Sequence, residues 1–81
     1  MVIIVTGIAL IFSDPHKTQY VFDTIRSKDY VSESFLTFGE YDIFAKIIGD
    51  NFNELQKNYK DILSIDGVIT KHSKTLTIVK E

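Results

Sequence analysis

The chain has 81 residues, nine Lys or Arg against eleven Asp or Glu, a formal net charge of −2, 44% hydrophobic residues and no cysteine. That length suits a single domain, the apolar content is that of a globular chain and not a disordered one, and the lack of thiols excludes disulfide frameworks, thiolate metal sites and cysteine nucleophiles. A slightly acidic chain without a basic run is poorly matched to a phosphate backbone, which demands clustered Lys and Arg, so no direct nucleic-acid partner is expected.

Residues 2–12 are rich in Ile and Val, interrupted only by Thr6 and Gly7, and read as a strand covered on both faces. The run has neither the basic start nor the small-residue cleavage site of a signal peptide, and it stops at Ser13-Asp14-Pro15, short of the ~20 apolar residues of a membrane span. No membrane partner is expected, and a cytoplasmic location is the default. Asp14 as a cap and Pro15 at the first helical position predict a helix over residues 15–28, with Thr18, Val21, Phe22 and Ile25 on one stripe. Residues 31–38 alternate as a strand, Val31 and Phe35 on one side and Ser32 and Ser34 on the other. Gly39-Glu40 predicts a two-residue hairpin turn, since Gly tolerates positive φ.

The next strand, residues 41–48, places Tyr41, Ile43, Ala45 and Ile47 on one face and Asp42, Phe44, Lys46 and Ile48 on the other. Gly49-Asp50-Asn51 ends it, and Asn51 with Glu54 three residues on has the register of a capping box. A second helix over residues 52–65 carries Phe52, Leu55, Tyr59, Ile62 and Ile65 at helical spacing. Asp66-Gly67 closes it before a Thr- and Ile-rich last strand, residues 68–79. The order βαββαβ predicts an α+β, ferredoxin-like domain: a four-stranded antiparallel sheet in the order 4-1-3-2 with both helices on one face. The central strands, first and third, are apolar on both faces, so the sheet's other face lacks cover, and a small domain gains stability by association. A homodimer with its sheets face to face is expected.

Residues able to support chemistry are few. His16 and His72 are the two histidines, and a lone histidine without an oriented carboxylate partner is weak evidence for acid–base work. His16 reads as a surface residue of the first helical turn and His72 as a residue within the last strand. No His pair, EF-hand loop or Gly-rich phosphate cradle occurs, so neither metal nor cofactor is expected. The open face offers Ile, Val and Leu where an RNA-binding sheet would interleave aromatic and basic residues. The segment that stands apart is Gly39-Glu40-Tyr41-Asp42. Gly39 alone justifies a turn, but Asp42 at its mouth could cap backbone amides, face solvent, or meet the ammonium of a small zwitterion whose carboxylate is met by amides near Gly39. At the turn and outside the core, Asp42 is expected to be replaceable without loss of the fold.

Three motifs, Gly39-Glu40-Tyr41-Asp42-Ile43, Ile65-Asp66-Gly67-Val68 and the closing Thr75-Leu76-Thr77-Ile78-Val79-Lys80-Glu81, give the chain a resemblance to the effector-binding domain of the Lrp/AsnC (feast/famine) transcription regulators. The resemblance implies a dimeric α/β barrel, often assembled as a ring of four dimers, that binds small amino-acid effectors between dimers without catalysis. It further implies backbone contacts to the effector from the Gly39-to-Tyr41 segment, including Glu40, an ammonium contact from Asp42, and hydroxyl contacts from Ser73 and Thr75. Phe38 stands where such domains often carry a small hydroxyl residue, Asp66 replaces a frequent proline, and residues 70–74 look one residue long, an excess that a strand bulge would absorb. With Met1 leading straight into the first strand and no helix-turn-helix ahead of it, residues 1–81 read as one free-standing sensing and oligomerisation domain, able to co-assemble with a full-length regulator. The alternatives are a small enzyme on the same barrel, using His72 or Asp42 as base in a cavity between sheet and helices, and an ACT-type amino-acid sensor binding near Ser13-Asp14-Pro15.

Overall fold

The computed structural model describes residues 4–78. Strand β1 (Val5–Ile11) leads to helix α1 (Thr18–Arg26), strands β2 (Val31–Leu36) and β3 (Ile43–Gly49), helix α2 (Phe52–Leu63) and strand β4 (Lys74–Ile78), with a 3₁₀ turn at Thr70–His72. The strands form one antiparallel sheet in the order β2-β3-β1-β4, the order expected from the sequence read from its other edge. The expected start of the first strand at Val2 and the end of the last at Val79 lie outside the described residues.

Strict alternation along the two central strands makes the core. Ala9 and Ile11 of β1 and Ile43, Ala45 and Ile47 of β3 are fully buried with Val21 and Ile25 of α1 and Ile62 of α2, and Leu55 and Ile65 join them. Both helices therefore cover one face. The α2 cap is as read: the Asn51 side chain accepts the Glu54 amide at 2.8 Å. Phe52 differs, being half exposed at the start of α2, outside the buried stripe.

Four local expectations are corrected. Helix α1 starts at Thr18, because residues 14–17 are taken up by a turn closed by the Lys17 amide on the Asp14 carbonyl (2.8 Å), while Asp14 Oδ1 accepts the His16 amide (2.9 Å). The β2–β3 connection is not a two-residue turn. Leu36 pairs with Ile43, leaving residues 37–42 as a loop with Gly39 at φ 126°. A register shift between Val31 and Glu33 turns the rest of β2 over, so Ser34 opposes the buried Ala45 and Phe35 opposes Phe44 on the other face. The last strand is shorter than residues 68–79, and His72 lies in the 3₁₀ turn ahead of it.

The uncovered face carries Ile8 and Leu10 of β1, Phe44 and Ile48 of β3, and the half-exposed Phe35 and Leu76 from the edge strands. The Phe35 and Phe44 rings meet at 6.0 Å. At the edge of the covered side, Tyr30 donates to Asp61 Oδ2 at 2.5 Å and Lys28 Nζ lies 3.1 Å from the same oxygen, tying the entry to β2 onto α2.

Two outcomes are expected. A Cβ on Gly49 would lie 2.7 Å from the Leu55 backbone nitrogen, whereas one on Gly7 would meet the flexible end of the Leu55 side chain at 3.2 Å and the Leu76 carbonyl at an ordinary 3.4 Å. Gly49→Ala should therefore cost about 1–3 kcal/mol and Gly7→Ala clearly less, read from urea midpoints. Burial first, then its bond to Asp61, pushes the Tyr30 phenol up. Raised in the folded state, this group stabilises the fold below the unfolded tyrosine pKa, and the contribution fades as pH rises past about 10. Tyr30→Phe should flatten the alkaline decline in stability measured by urea unfolding at a series of pH values.

Candidate functional site

Where β1 ends, two distant segments are fastened to it by side chains. Asp42 Oδ2 accepts the Ser13 amide at 2.8 Å, and the Asp42 amide donates to the Ile11 carbonyl at 2.9 Å. Ser13 is 1% exposed, and its hydroxyl is shared with Thr18 Oγ1 at 2.7 Å. The β2–β3 loop is thus held against both β1 and the start of α1. On the other side, the Ile69 amide donates to the Phe12 carbonyl at 2.7 Å, the chain then makes the 3₁₀ turn, and pairing resumes with Lys74 opposite Leu10. Ser73 bridges the interruption: its hydroxyl accepts the Phe12 amide at 2.9 Å and donates to the Ile69 carbonyl at 3.0 Å. The extra length of residues 70–74 is absorbed by this turn, not by a strand bulge.

Between the two fastened segments lies an open concavity of about 230 Å³ lined by Phe12, Glu40, Tyr41 and His72. The Phe12 and His72 rings meet at 5.5 Å and 57°, and the Lys74 ammonium sits 5.6 Å from the Tyr41 ring centroid. Tyr41, chiefly by hydrogen bonding, pushes the Lys74 ammonium up from its ordinary value, so the rim keeps a full positive charge at neutral pH. Among the described residues no backbone bond takes up the amides of residues 38–41, and Asp42 Oδ1 has no partner. Such a run of free amides beside a carboxylate can receive a small zwitterion.

Of the residues singled out in the sequence, Glu40 and Tyr41 line the concavity, and Gly39 and Asp42 belong to the same loop. Ser73 stands behind it with its hydroxyl engaged by the backbone. Thr75 opposes the buried Ala9 and donates to the Ile8 carbonyl at 3.2 Å, away from the loop. Phe12 and His72 were not expected there; a resumed strand would have sent His72 elsewhere, and only the 3₁₀ turn brings it to Phe12. Asp42 is a structural fastener and not merely a turn residue, so its replacement carries a stability cost.

A larger concavity, about 300 Å³, lies at the opposite end of β1 and includes Asp29, Asp50 and Glu54 in its lining without a basic residue. Three carboxylates would repel the carboxylate of a zwitterion, whereas the smaller concavity has the single carboxylate Glu40 with the Lys74 ammonium over Tyr41 at its rim, so its charges are the better balanced for one. The space between sheet and helices, where a barrel enzyme needs its cavity, is filled by Ile11, Ile25, Ile43, Ile47 and Ile62, each 0% exposed. Among the described residues no group of three or more His, Asp or Glu is placed to hold a metal, and no helix is long and apolar enough to cross a membrane.

The element order and sheet define a ferredoxin-like βαββαβ module. A family model for the Lrp/AsnC ligand binding domain matches residues 6–81. The chain belongs to that family, a regulatory domain of transcription regulators. Among solved structures it is similar to TTHA0845 from Thermus thermophilus, at 26% identity over 95% of both chains with a TM-score of 0.86. AsnC of E. coli is 24% identical over 96% of this chain, with a TM-score of 0.80, and this chain spans 52% of it. The transcriptional regulator NMB0573 from Neisseria meningitidis, solved as an L-Met complex, is 19% identical over 95% of this chain and 51% of its own, with a TM-score of 0.79. A search of curated protein sequences returned no match.

Losing the Asp42 carboxylate leaves the buried Ser13 amide unpaired, so Asp42→Ala should cost about 1–3 kcal/mol in urea unfolding. Asp42→Asn keeps an acceptor oxygen and should recover most of that loss.

Proposed function

We propose that the chain is a non-catalytic sensing and assembly module that binds a small amino acid at the β2–β3 loop. The observation that carries this reading is Asp42 itself: Oδ2 is fixed on the Ser13 amide while Oδ1 has no partner among the described residues, and the loop that leads into it, residues 38–41, has free amides. An effector ammonium would pair with Oδ1 and its carboxylate with the loop amides, two charge-assisted contacts of opposite sign on one rigid support. The L-Met complex of the Neisseria regulator supports an amino acid as the class of ligand.

Assembly would use the uncovered sheet face. Ile8, Leu10, Phe44, Phe35 and Leu76 form a contiguous apolar surface of the kind that marks an interface. Face-to-face packing of two copies would complete a dimeric α/β barrel, and dimers would associate further, up to four, with effectors between them. The same contacts would allow mixed assembly with a full-length regulator in the cytoplasm. Residues 1–81 would act as one sensing unit, and a bound effector would shift assembly by its differential affinity for the assembled and free states.

Two measurements check this. In a thermal-shift screen with the twenty amino acids, a ligand at ~100 times its Kd adds about 2.7 kcal/mol, several degrees in a domain of this size. Asp42→Asn should reduce affinity at least ~10-fold, which cuts the stabilisation at the same ligand concentration to about half or less, and a variant that binds as tightly as the parent would refute the assignment. In light scattering after size exclusion, Leu76→Lys should convert dimers to monomers, and an unchanged mass would rule out this face as the interface.

A further inference from the structure

We infer that the concavity between the β2–β3 loop and the 3₁₀ turn seats the effector's side chain and selects a neutral aromatic amino acid. The inference rests on the reading of the chain as an amino-acid sensor and goes beyond it by naming the ligand class.

Three of the four lining residues, Phe12, Tyr41 and His72, present rings, and the fourth is Glu40. Phe12 and His72 are already tilted against each other at 57° with centroids 5.5 Å apart. A third ring entering beside them can adopt the edge-to-face or offset geometry that aromatic quadrupoles favour, worth about 0.5–1.5 kcal/mol per pair beyond area burial. A small aliphatic side chain gains neither that term nor comparable buried area.

Charge narrows the class from both sides. Glu40 in the lining opposes an acidic side chain. A cationic side chain would find ring faces and a carboxylate attractive, but the Lys74 ammonium is already 5.6 Å from the Tyr41 centroid and opposes a second cation there. The two fixed charges cancel, and the ligand side chain they penalise least is a neutral one. Size agrees: about 230 Å³ is below the ~300–1,000 Å³ of sites for drug-sized ligands and suits a single amino acid. The selectivity originates in one local feature, the 3₁₀ turn at Thr70–His72 that interrupts the β1–β4 pairing and delivers His72 to Phe12.

The test is calorimetric titration of the intact chain with phenylalanine, tyrosine, alanine, aspartate, glutamate, lysine and arginine. Phenylalanine or tyrosine should bind at least tenfold more tightly than any of the other five. In His72→Ala the ratio of phenylalanine to alanine affinity should fall several-fold, with the fold verified by circular dichroism. Alanine or a charged amino acid binding as tightly as the aromatic ones would overturn the inference while leaving the sensor reading in place. A ratio unchanged in His72→Ala would also overturn it. Failure of every amino acid to bind the folded chain would overturn both.

Discussion

Everything at the functional end of this domain depends on how the last residues of β1 are satisfied. Beyond Ile11 the strand has outrun regular pairing on both sides, and buried amides left without partners would cost about 1–3 kcal/mol each. The fold meets that demand with side chains: Asp42 takes the Ser13 amide and Ser73 takes the Phe12 amide, at 2.8 and 2.9 Å. These bonds join segments 29 and 61 residues apart in sequence. In consequence a loop and a turn that would otherwise be independent surface excursions are held at a fixed separation, with ring-bearing residues facing the space between them. A structural requirement of the sheet thereby creates the concavity.

Much of the architecture was legible in the sequence, for identifiable reasons. Alternation of β1 and β3, the Asn51 cap and the apolar stripe of α1 are local signals, and each specifies an element almost alone. From element order the sheet order follows by the right-handed crossover rule. What was not legible is tertiary. Residues 68–79 have strand composition, and nothing local announces that the chain leaves the ladder at Thr70 and returns at Lys74. The interruption is bridged by a hydroxyl bonded 61 residues away. The shift in β2 between Val31 and Glu33 likewise follows from pairing with β3, and it moves Phe35 to the face opposite the one its alternation implied. Gly39 signalled a turn correctly but not its length: the Asp42 carbonyl closes the loop on the Thr37 amide at 2.9 Å while its amide joins the Ile11 carbonyl of β1.

The site was half visible. Gly39-Glu40-Tyr41-Asp42 stood out as a glycine turn followed by a carboxylate, and that loop does hold Glu40 and Tyr41 at the concavity. Phe12 and His72 gave no such signal, because an aromatic at a strand end and a histidine in a Thr-rich stretch have ordinary structural explanations. Asp42 carries two demands at once. One oxygen maintains the fold and the other has no partner among the described residues, so under the proposed function stability and recognition would be coupled in a single carboxylate. Lys74 of the concavity's rim pairs with Leu10, a residue of the uncovered sheet face. Under the proposed function, occupancy of the site would therefore be felt at the edge of the assembly surface, the arrangement a ligand-biased oligomerisation equilibrium needs.

One end of β1 has a concavity lined by three carboxylates and the other a concavity where Glu40 is balanced by Lys74, and under the proposed function the ligand takes the one between Tyr41 and His72. The direct test is a ¹⁵N NMR titration of the labelled chain with an amino acid that binds it. The largest amide shifts should fall on Gly39, Glu40, Tyr41 and His72, with Gly49, Asp50 and Glu54 unmoved. Perturbations centred on Gly49, Asp50 and Glu54 instead would place the ligand at the other end of the sheet and contradict the account.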